Sequence, residues 1–211
     1  MGIIKNGILG GVRNKVGAVV GRRTHRGQDI LTGIHRISQK ARTEGQLEQQ
    51  SRFGVLNAFL AQLKELIDPG FKRFAKKNST LNAAFSFNYE HAFVEQEGSI
   101  KINYPKIVYS RGPVSVVNCP AISLSDEGIL TFSWLPEEQN EYTRASDKAT
   151  FLIYGAAEQT AVYSIGAAVR ADLSFSIDLS EEMQLEELHC YMSFSNESKK
   201  LVGNSLYIGV I

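Results

Sequence analysis

The chain has 211 residues, 43% of them hydrophobic and 21% charged, with a net charge of +1. That composition belongs to a soluble, folded protein with enough aromatic residues for a real core. It excludes a disordered tail, a collagen-like repeat and a disulfide-dense scaffold, since there are only two cysteines. The near-neutral total conceals a polarity: residues 1–78 carry 15 Lys and Arg against 5 Asp and Glu, and residues 79–211 carry 8 against 17. A basic end joined to an acidic end favours acidic partners at one pole and basic partners at the other.

The opening Met1–Gly11 has too few consecutive apolar residues for a signal-peptide core, and Asn6 stands where myristoylation requires Ser or Thr. No run approaches the roughly 18 apolar residues of a membrane span. The expected compartment is therefore the cytoplasm, with both cysteines as thiols. Eight of the 18 glycines fall within the first 33 residues. Between them lie two β-branched pieces, Val16–Val20 and Gln28–Thr32, which predict two short strands joined as a hairpin across residues 21–27. A two-stranded hairpin is marginal in water, so this arm needs something to lie on.

A helix is predicted next. Thr43-Glu44-Gly45-Gln46 has the form of a capping box, and Leu56, Leu60, Leu63 and Ile67 recur at steps of three and four, with Phe53 and Phe59 beside them. Asp68-Pro69-Gly70 is expected to end this helix of about 24 residues, roughly 36 Å at ~1.5 Å per residue. A basic link, residues 71–77, leads to a second expected helix from about Thr80 to Phe93, with a strand over Ala84–Tyr89 as the open alternative. From residue 99 the pattern turns to period two. It predicts strands at 100–104, 106–109, 129–134, 149–154, 161–165, 173–179, 188–194 and 205–210, separated by polar turns. The expected fold is α+β: a basic Gly-rich β-arm (1–42), a helical region of one or two helices (43–98), and an antiparallel β-sandwich (99–211).

Two resemblances accompany this reading. Ile129–Pro136, with Trp134 ending the strand, and Ala149–Tyr154 resemble the second and third strands of a fibronectin type III or Ig-like domain. The Leu185-to-Tyr191 spacing is similar to that fold's tyrosine corner, although Glu187 and His189 replace its usual Pro and Thr. The N-terminal half, through Gly11–Gly21, Arg42-Thr43, Gln46, Arg52-Phe53, Asn82–Asn88 and Tyr104–Gly112, resembles an uncharacterised protein family of Bacteroidota. There a basic glycine-rich arm and a helix precede a sandwich, and similar N-terminal patterns occur in prophage-encoded proteins. The resemblance implies a role in assembly or in a phage-like particle, and it brings no assigned activity.

Signatures of chemistry are missing. Gly10–Gly17 lacks the Gly-Lys-Ser/Thr ending that places lysine and hydroxyl on phosphate, and no cofactor is expected. Histidines 25, 35, 91 and 189 are dispersed without metal-ligand spacing. His189 and Cys190 are neighbours on a predicted strand, where adjacent side chains face opposite ways, so they make no nucleophile–base pair and Cys190 is expected in the core. Cys119, Trp134 and Cys190 follow in immunoglobulin order, which is read as coincidence. The carboxylates Glu137, Glu138, Glu141, Glu181, Glu182, Glu186 and Glu187 fall in predicted loops, where water holds their pKa values together rather than apart.

No catalytic, cofactor or metal residue is therefore assigned. The candidate partner-binding set is basic: Arg13, Lys15, Arg22, Arg23, Arg26, Arg36, Lys40 and Arg42, extended by Lys64, Lys72, Arg73, Lys76 and Lys77. Such a surface suits an acidic protein surface, including the sandwich of a neighbouring copy in a head-to-tail assembly. The alternative partner is nucleic acid, bound without sequence preference, although the arm has few aromatics for base stacking. The expectation is a non-enzymatic structural or adaptor protein.

Overall fold

Short strands punctuated by glycine build the first of two units, residues 1–43; the second spans residues 44–211. The computed structural model describes residues 3–4, 11–24, 27–35, 40–75, 79–96, 99–185 and 187–211. In the first unit β1 (Ile3–Ile4), β2 (Val12–Val16), β3 (Val19–Arg23) and β4 (Asp29–Gly33) form an antiparallel sheet in sequence order. The strand expected over Val16–Val20 is broken by a two-residue turn, because Gly17 adopts a left-handed φ of 56°. The predicted hairpin survives as β3–β4. Gly21 is needed for close approach, since a Cβ there would lie 1.9 Å from the Val12 carbonyl oxygen.

The second unit begins with three helices, α1 (Glu44–Gln62), α2 (Lys64–Gly70) and α3 (Thr80–Asn88). The single long helix expected to stop at Asp68-Pro69-Gly70 instead breaks at Leu63, and those three residues close α2. Pro69 has no N–H to donate to the Glu65 carbonyl, yet the turn continues past it, with Phe71 N donating to Ile67 O at 2.8 Å. Gly70 serves packing rather than a left-handed cap: a Cβ would sit 2.5 Å from the Tyr109 carbonyl oxygen, and Arg111 N donates to Gly70 O at 3.1 Å. Ser79 caps α3 by accepting from Asn82 N at 3.2 Å.

The helix expected to reach Phe93 ends at Asn88, and Phe93 opens a strand. β5 (Phe93–Gln96) pairs with β6 (Ser99–Ile102) in a two-stranded ribbon. Residues 106–109, expected as a strand, are irregular after a 3₁₀ turn over Tyr104–Lys106. Side chains take the place of a neighbouring strand there. The amide of buried Asn88 donates to Val108 O and accepts from Val108 N, both at 2.8 Å, while Ser205 Oγ accepts from Tyr109 N at 3.0 Å.

Seven strands follow: β7 (Asn118–Leu124), β8 (Ile129–Leu135), β9 (Lys148–Gly155), β10 (Thr160–Val169), β11 (Ser174–Asp178), β12 (Leu188–Ser195) and β13 (Leu206–Val210). Strands β8–β13 lie where the period-two pattern predicts them. β7 was hidden by Pro120 and by a register shift beside Cys119, whose φ is 43°. The strands form two sheets, β11-β8-β7 and β10-β9-β12-β13, packed as a sandwich around Phe132, Trp134, Phe151, Ile153, Cys190 and Phe194. The helices cover the outer face of the four-stranded sheet. Leu56, Leu60, Leu63 and Ile67 meet Leu152 and Tyr191 in a second core. Tyr191 makes no tyrosine corner: its hydroxyl donates to Tyr104 O at 2.8 Å, on the helix side of the sheet. Among the described residues no helix is long and apolar enough to cross a membrane.

Gly70→Ala is expected to destabilise the protein by about 1–3 kcal/mol through backbone overlap. Gly54→Ala, on the exposed side of α1 with nothing within 4 Å, should stabilise it by about 0.5–1 kcal/mol. Urea denaturation followed by circular dichroism compares the two.

Candidate functional site

Of the predicted basic set, Arg13, Lys15, Arg22 and Arg23 stand exposed on the sheet of the first unit, and Lys40 and Arg42 stand exposed in the segment before α1. Arg26, Arg36, Lys76 and Lys77 lie outside the described residues. The register sets Lys15 beside Val20 and Thr32, and Arg22 beside Ile30 two residues along, so these five share a face. The opposite face carries Val16, Val19 and Leu31, all exposed. Arg23 is engaged locally: its Nε donates to Gly27 O at 2.8 Å and lies 3.9 Å from Asp29. Among the described residues of the arm only Gly21 is buried. Farther along, Lys64 is paired with Asp68 on α2, while Lys72 and Arg73 are exposed.

The acidic loops divide on inspection. Glu138, Glu141, Glu181, Glu182 and Glu187 are exposed, as solvated carboxylates should be. Glu137 is half-buried and holds Arg170 at 2.6 Å, and Arg170 also reaches Asp147 at 3.3 Å and the Ser115 carbonyl at 2.8 Å. The guanidinium lies 3.8 Å from the centre of the Phe194 ring, and the Arg170 carbonyl accepts from Trp134 Nε1 at 2.9 Å. The Arg170 guanidinium thus ties together Glu137, Asp147 and the Ser115 carbonyl. Among the described residues no group of His, Cys, Asp and Glu could hold a metal ion.

His189 and Cys190 face opposite ways, as strand geometry requires. Cys190 points into the sandwich, where burial pushes its thiol up to about 12, far from any nucleophile. His189 points to the helix side. Its ring stacks on Tyr104 at 3.9 Å, and Nδ1 lies 3.1 Å from the Tyr207 hydroxyl. Burial lowers its pKa below the usual imidazole value, opposed in part by the Glu187 carboxylate.

These rings floor a cleft of about 940 Å³ that the sequence reading missed. Phe59 meets Tyr154 edge-on at 4.7 Å, and Tyr104 lies 5.5 Å from Tyr154. One wall is the α1 stripe Ser51, Gly54, Val55 and Ala58; the other is the β5–β6 ribbon, through Val94, Ile100, Lys101 and Ile102. Glu187, His189 and Gln159 also line it. The signal for it was the unbroken apolar run Phe151-Leu152-Ile153-Tyr154, which needs cover on both faces of its strand. The aromatic residues that answer it come from three separate elements.

The fold is thus α+β, a helix-backed sandwich. The chain belongs to DUF6266, a family of unknown function whose model matches residues 9–209. No curated protein and no solved structure matches it.

Arg170→Met would leave Asp147 buried without its cation and is expected to cost about 3–5 kcal/mol in a denaturant titration. His189, with its pKa lower in the folded than in the unfolded chain, binds protons preferentially when unfolded. Its contribution is present above the ordinary imidazole value near 6.5 and is lost as pH falls below it. The melting temperature should therefore drop between pH 7 and 5, less so in His189→Gln.

Proposed function

We propose that this protein is a non-enzymatic structural or adaptor protein whose basic N-terminal arm docks on an acidic surface. The carrying observation is the arm's lack of an interior. Four short strands display Lys15 and Arg22 on one face and Val16, Val19 and Leu31 on the other, with Gly21 its one buried residue among those described. A sheet of this size gains stability when a partner covers an apolar face, and its lysines and arginines select that partner by charge.

The sandwich serves this reading as a rigid body of fibronectin type III or Ig-like type. Its strand order, with the first, second and fifth strands opposite the fourth, third, sixth and seventh, supports that assignment. The acidic C-terminal half makes a neighbouring copy a suitable partner, in a cytoplasmic or phage-like assembly. Sequence-nonspecific nucleic-acid binding is the rival reading for the same cations. It is disfavoured by an arm that contains no Phe, Tyr or Trp within residues 1–43 on which bases could stack.

The test is gel filtration with light scattering at low and high salt, with absorbance read at 260 and 280 nm. The wild type should exceed its 23.4 kDa chain mass at low salt and dissociate at high salt. The triple variant Arg13→Glu, Lys15→Glu, Arg22→Glu should stay monomeric with an unchanged sandwich. An unaltered mass in the variant removes the arm from the mechanism, and copurifying nucleic acid that salt strips away establishes the rival.

A further inference from the structure

Strand β10 is an unguarded sheet edge. It bounds the four-stranded sheet, and its ten residues Thr160–Val169 include no charged side chain and no proline. Exposed edges are usually blunted by one or the other, as β7 is by Pro120 and β11 by Asp178. The hydrogen-bond phase shows which groups β10 presents. Ala156 N donates to Glu187 O at 3.2 Å, continuing the Gly155–Leu188 register. Bonded and unbonded pairs alternate in an antiparallel ladder, so Tyr154, Leu152 and Thr150 turn to β12 while Gly155, Ile153 and Phe151 turn to β10. The partners of the latter three are Thr160, Val162 and Ser164. The N–H and C=O groups of Ala161, Tyr163 and Ile165 therefore point outward. Beyond the bulge the same phase turns Val169 outward, and there Asp172 accepts its N–H at 2.8 Å. Among the described residues no such partner meets the backbone of the other three.

The two faces beside this edge differ in kind. Ala161 and Tyr163 pack on the helix side, with exposed Ile165 in the same row. Val162 packs into the sandwich and borders a cleft of about 760 Å³ that exposed Glu158 and Glu182 also line. The arm has the matching edge. Ile34 N donates to Ala18 O at 3.1 Å, which makes Val20–Thr32 and Arg22–Ile30 the bonded pairs of β3 and β4. Asp29, Leu31 and Gly33 thus turn outward from β4, the last strand of its sheet. Leu31 shares a face with Val16 and Val19, and Arg13, Lys15 and Arg22 share the other.

When two edges pair antiparallel, outward residues oppose outward residues, and opposed residues lie on one face. With Leu31 opposite Tyr163, the apolar face of the arm continues the row Ala161, Tyr163 and Ile165. The basic face then falls on the side of Glu158 and Glu182. Parallel pairing would exchange the faces and set the cations beside the apolar row. We propose that β4 in the arm of a neighbouring copy adds antiparallel to β10, with Arg13, Lys15 and Arg22 facing the Glu158–Glu182 cleft. The pairing rests on the arm's role in docking and locates the acidic surface that it meets. The contact is heterologous, so each copy offers one arm and one β10 edge.

Gel filtration with light scattering at low salt compares three full-length variants. One is Arg13→Glu, Lys15→Glu, Arg22→Glu in the arm, and the second is Glu158→Lys, Glu182→Lys at the cleft. The third, Ala161→Pro, removes one outward N–H and spares the β9 ladder. Each alone should run at the monomer mass. Mixing the arm and cleft variants should restore a species of twice the chain mass, because one supplies an intact edge and the other an intact arm. In the wild-type assembly the amides of Ala161, Tyr163 and Ile165 should exchange at least tenfold more slowly than at high salt. The cleft variant stands in if Ala161→Pro fails to fold. If the arm variant dissociates while the cleft variant keeps the wild-type mass, or if the mixture stays monomeric, the β10 pairing is overturned and the arm's docking stands. An arm variant that keeps the wild-type mass overturns both.

Discussion

Strands β9 and β12 are buried on both faces, and the second unit depends on that double burial. Ala149, Phe151 and Ile153 of β9, with Leu188, Cys190, Met192 and Phe194 of β12, face the three-stranded sheet. Leu152 and Tyr154, with Tyr191, face the helices. Antiparallel sheets often leave one face to water, so their strands alternate; a central pair that serves two cores must be apolar almost throughout. Full burial of a large side chain is worth about 1.5–3 kcal/mol, and these two strands concentrate that gain for both cores at once. Losing the helices would expose three large aliphatic and aromatic side chains, and losing the second sheet would strand the other row.

The connection between helices and sandwich is made by polar side chains that stand in for a strand. Asn88, at the end of α3, supplies both a donor and an acceptor to Val108, and Ser205 meets Tyr109. Tyr109 is itself fully buried, its hydroxyl bonded to Ser193 at 3.1 Å. Buried backbone that finds no ladder must find partners elsewhere. These bonds hold residues 104–111 against the sheet without adding a strand, and Gly70 lets the backbone of α2 come down on the same segment.

The arm and the cleft are surfaces of opposite kinds. The arm has many polar and glycine positions and no interior, and its charge discourages chance pairing with other edges. The cleft is lined by α1, the β5–β6 ribbon, β9 and β12, with an aromatic floor that carries its own hydrogen bonds. Two of the titratable groups that line the cleft, His189 and Tyr104, have pKa values moved by burial; His189 Nδ1 meets the Tyr207 hydroxyl, and Tyr104 hydrogen-bonds with Tyr154.

Sequence by itself determined what depends on local periodicity. Strands β8 to β13 alternate with polar turns, so their places were legible, as were the core position of Cys190 and the turning away of His189. The basic polarity of the arm is likewise a property of the chain alone. Tertiary structure decided whatever rests on distant partners. Proline and glycine at 69–70 read as a helix stop, yet the close approach of Tyr109 and Ser110 gives that glycine its use. Residues 106–109 read as a strand because valine and isoleucine favour one, but Asn88, far back in the chain, holds them otherwise. Glu137 read as a solvated carboxylate until Arg170, remote in sequence, came within 2.6 Å. The cleft was invisible for the same reason: its lining comes from α1, the β5–β6 ribbon, β9 and β12, and nothing in the local pattern of any one element records that they meet.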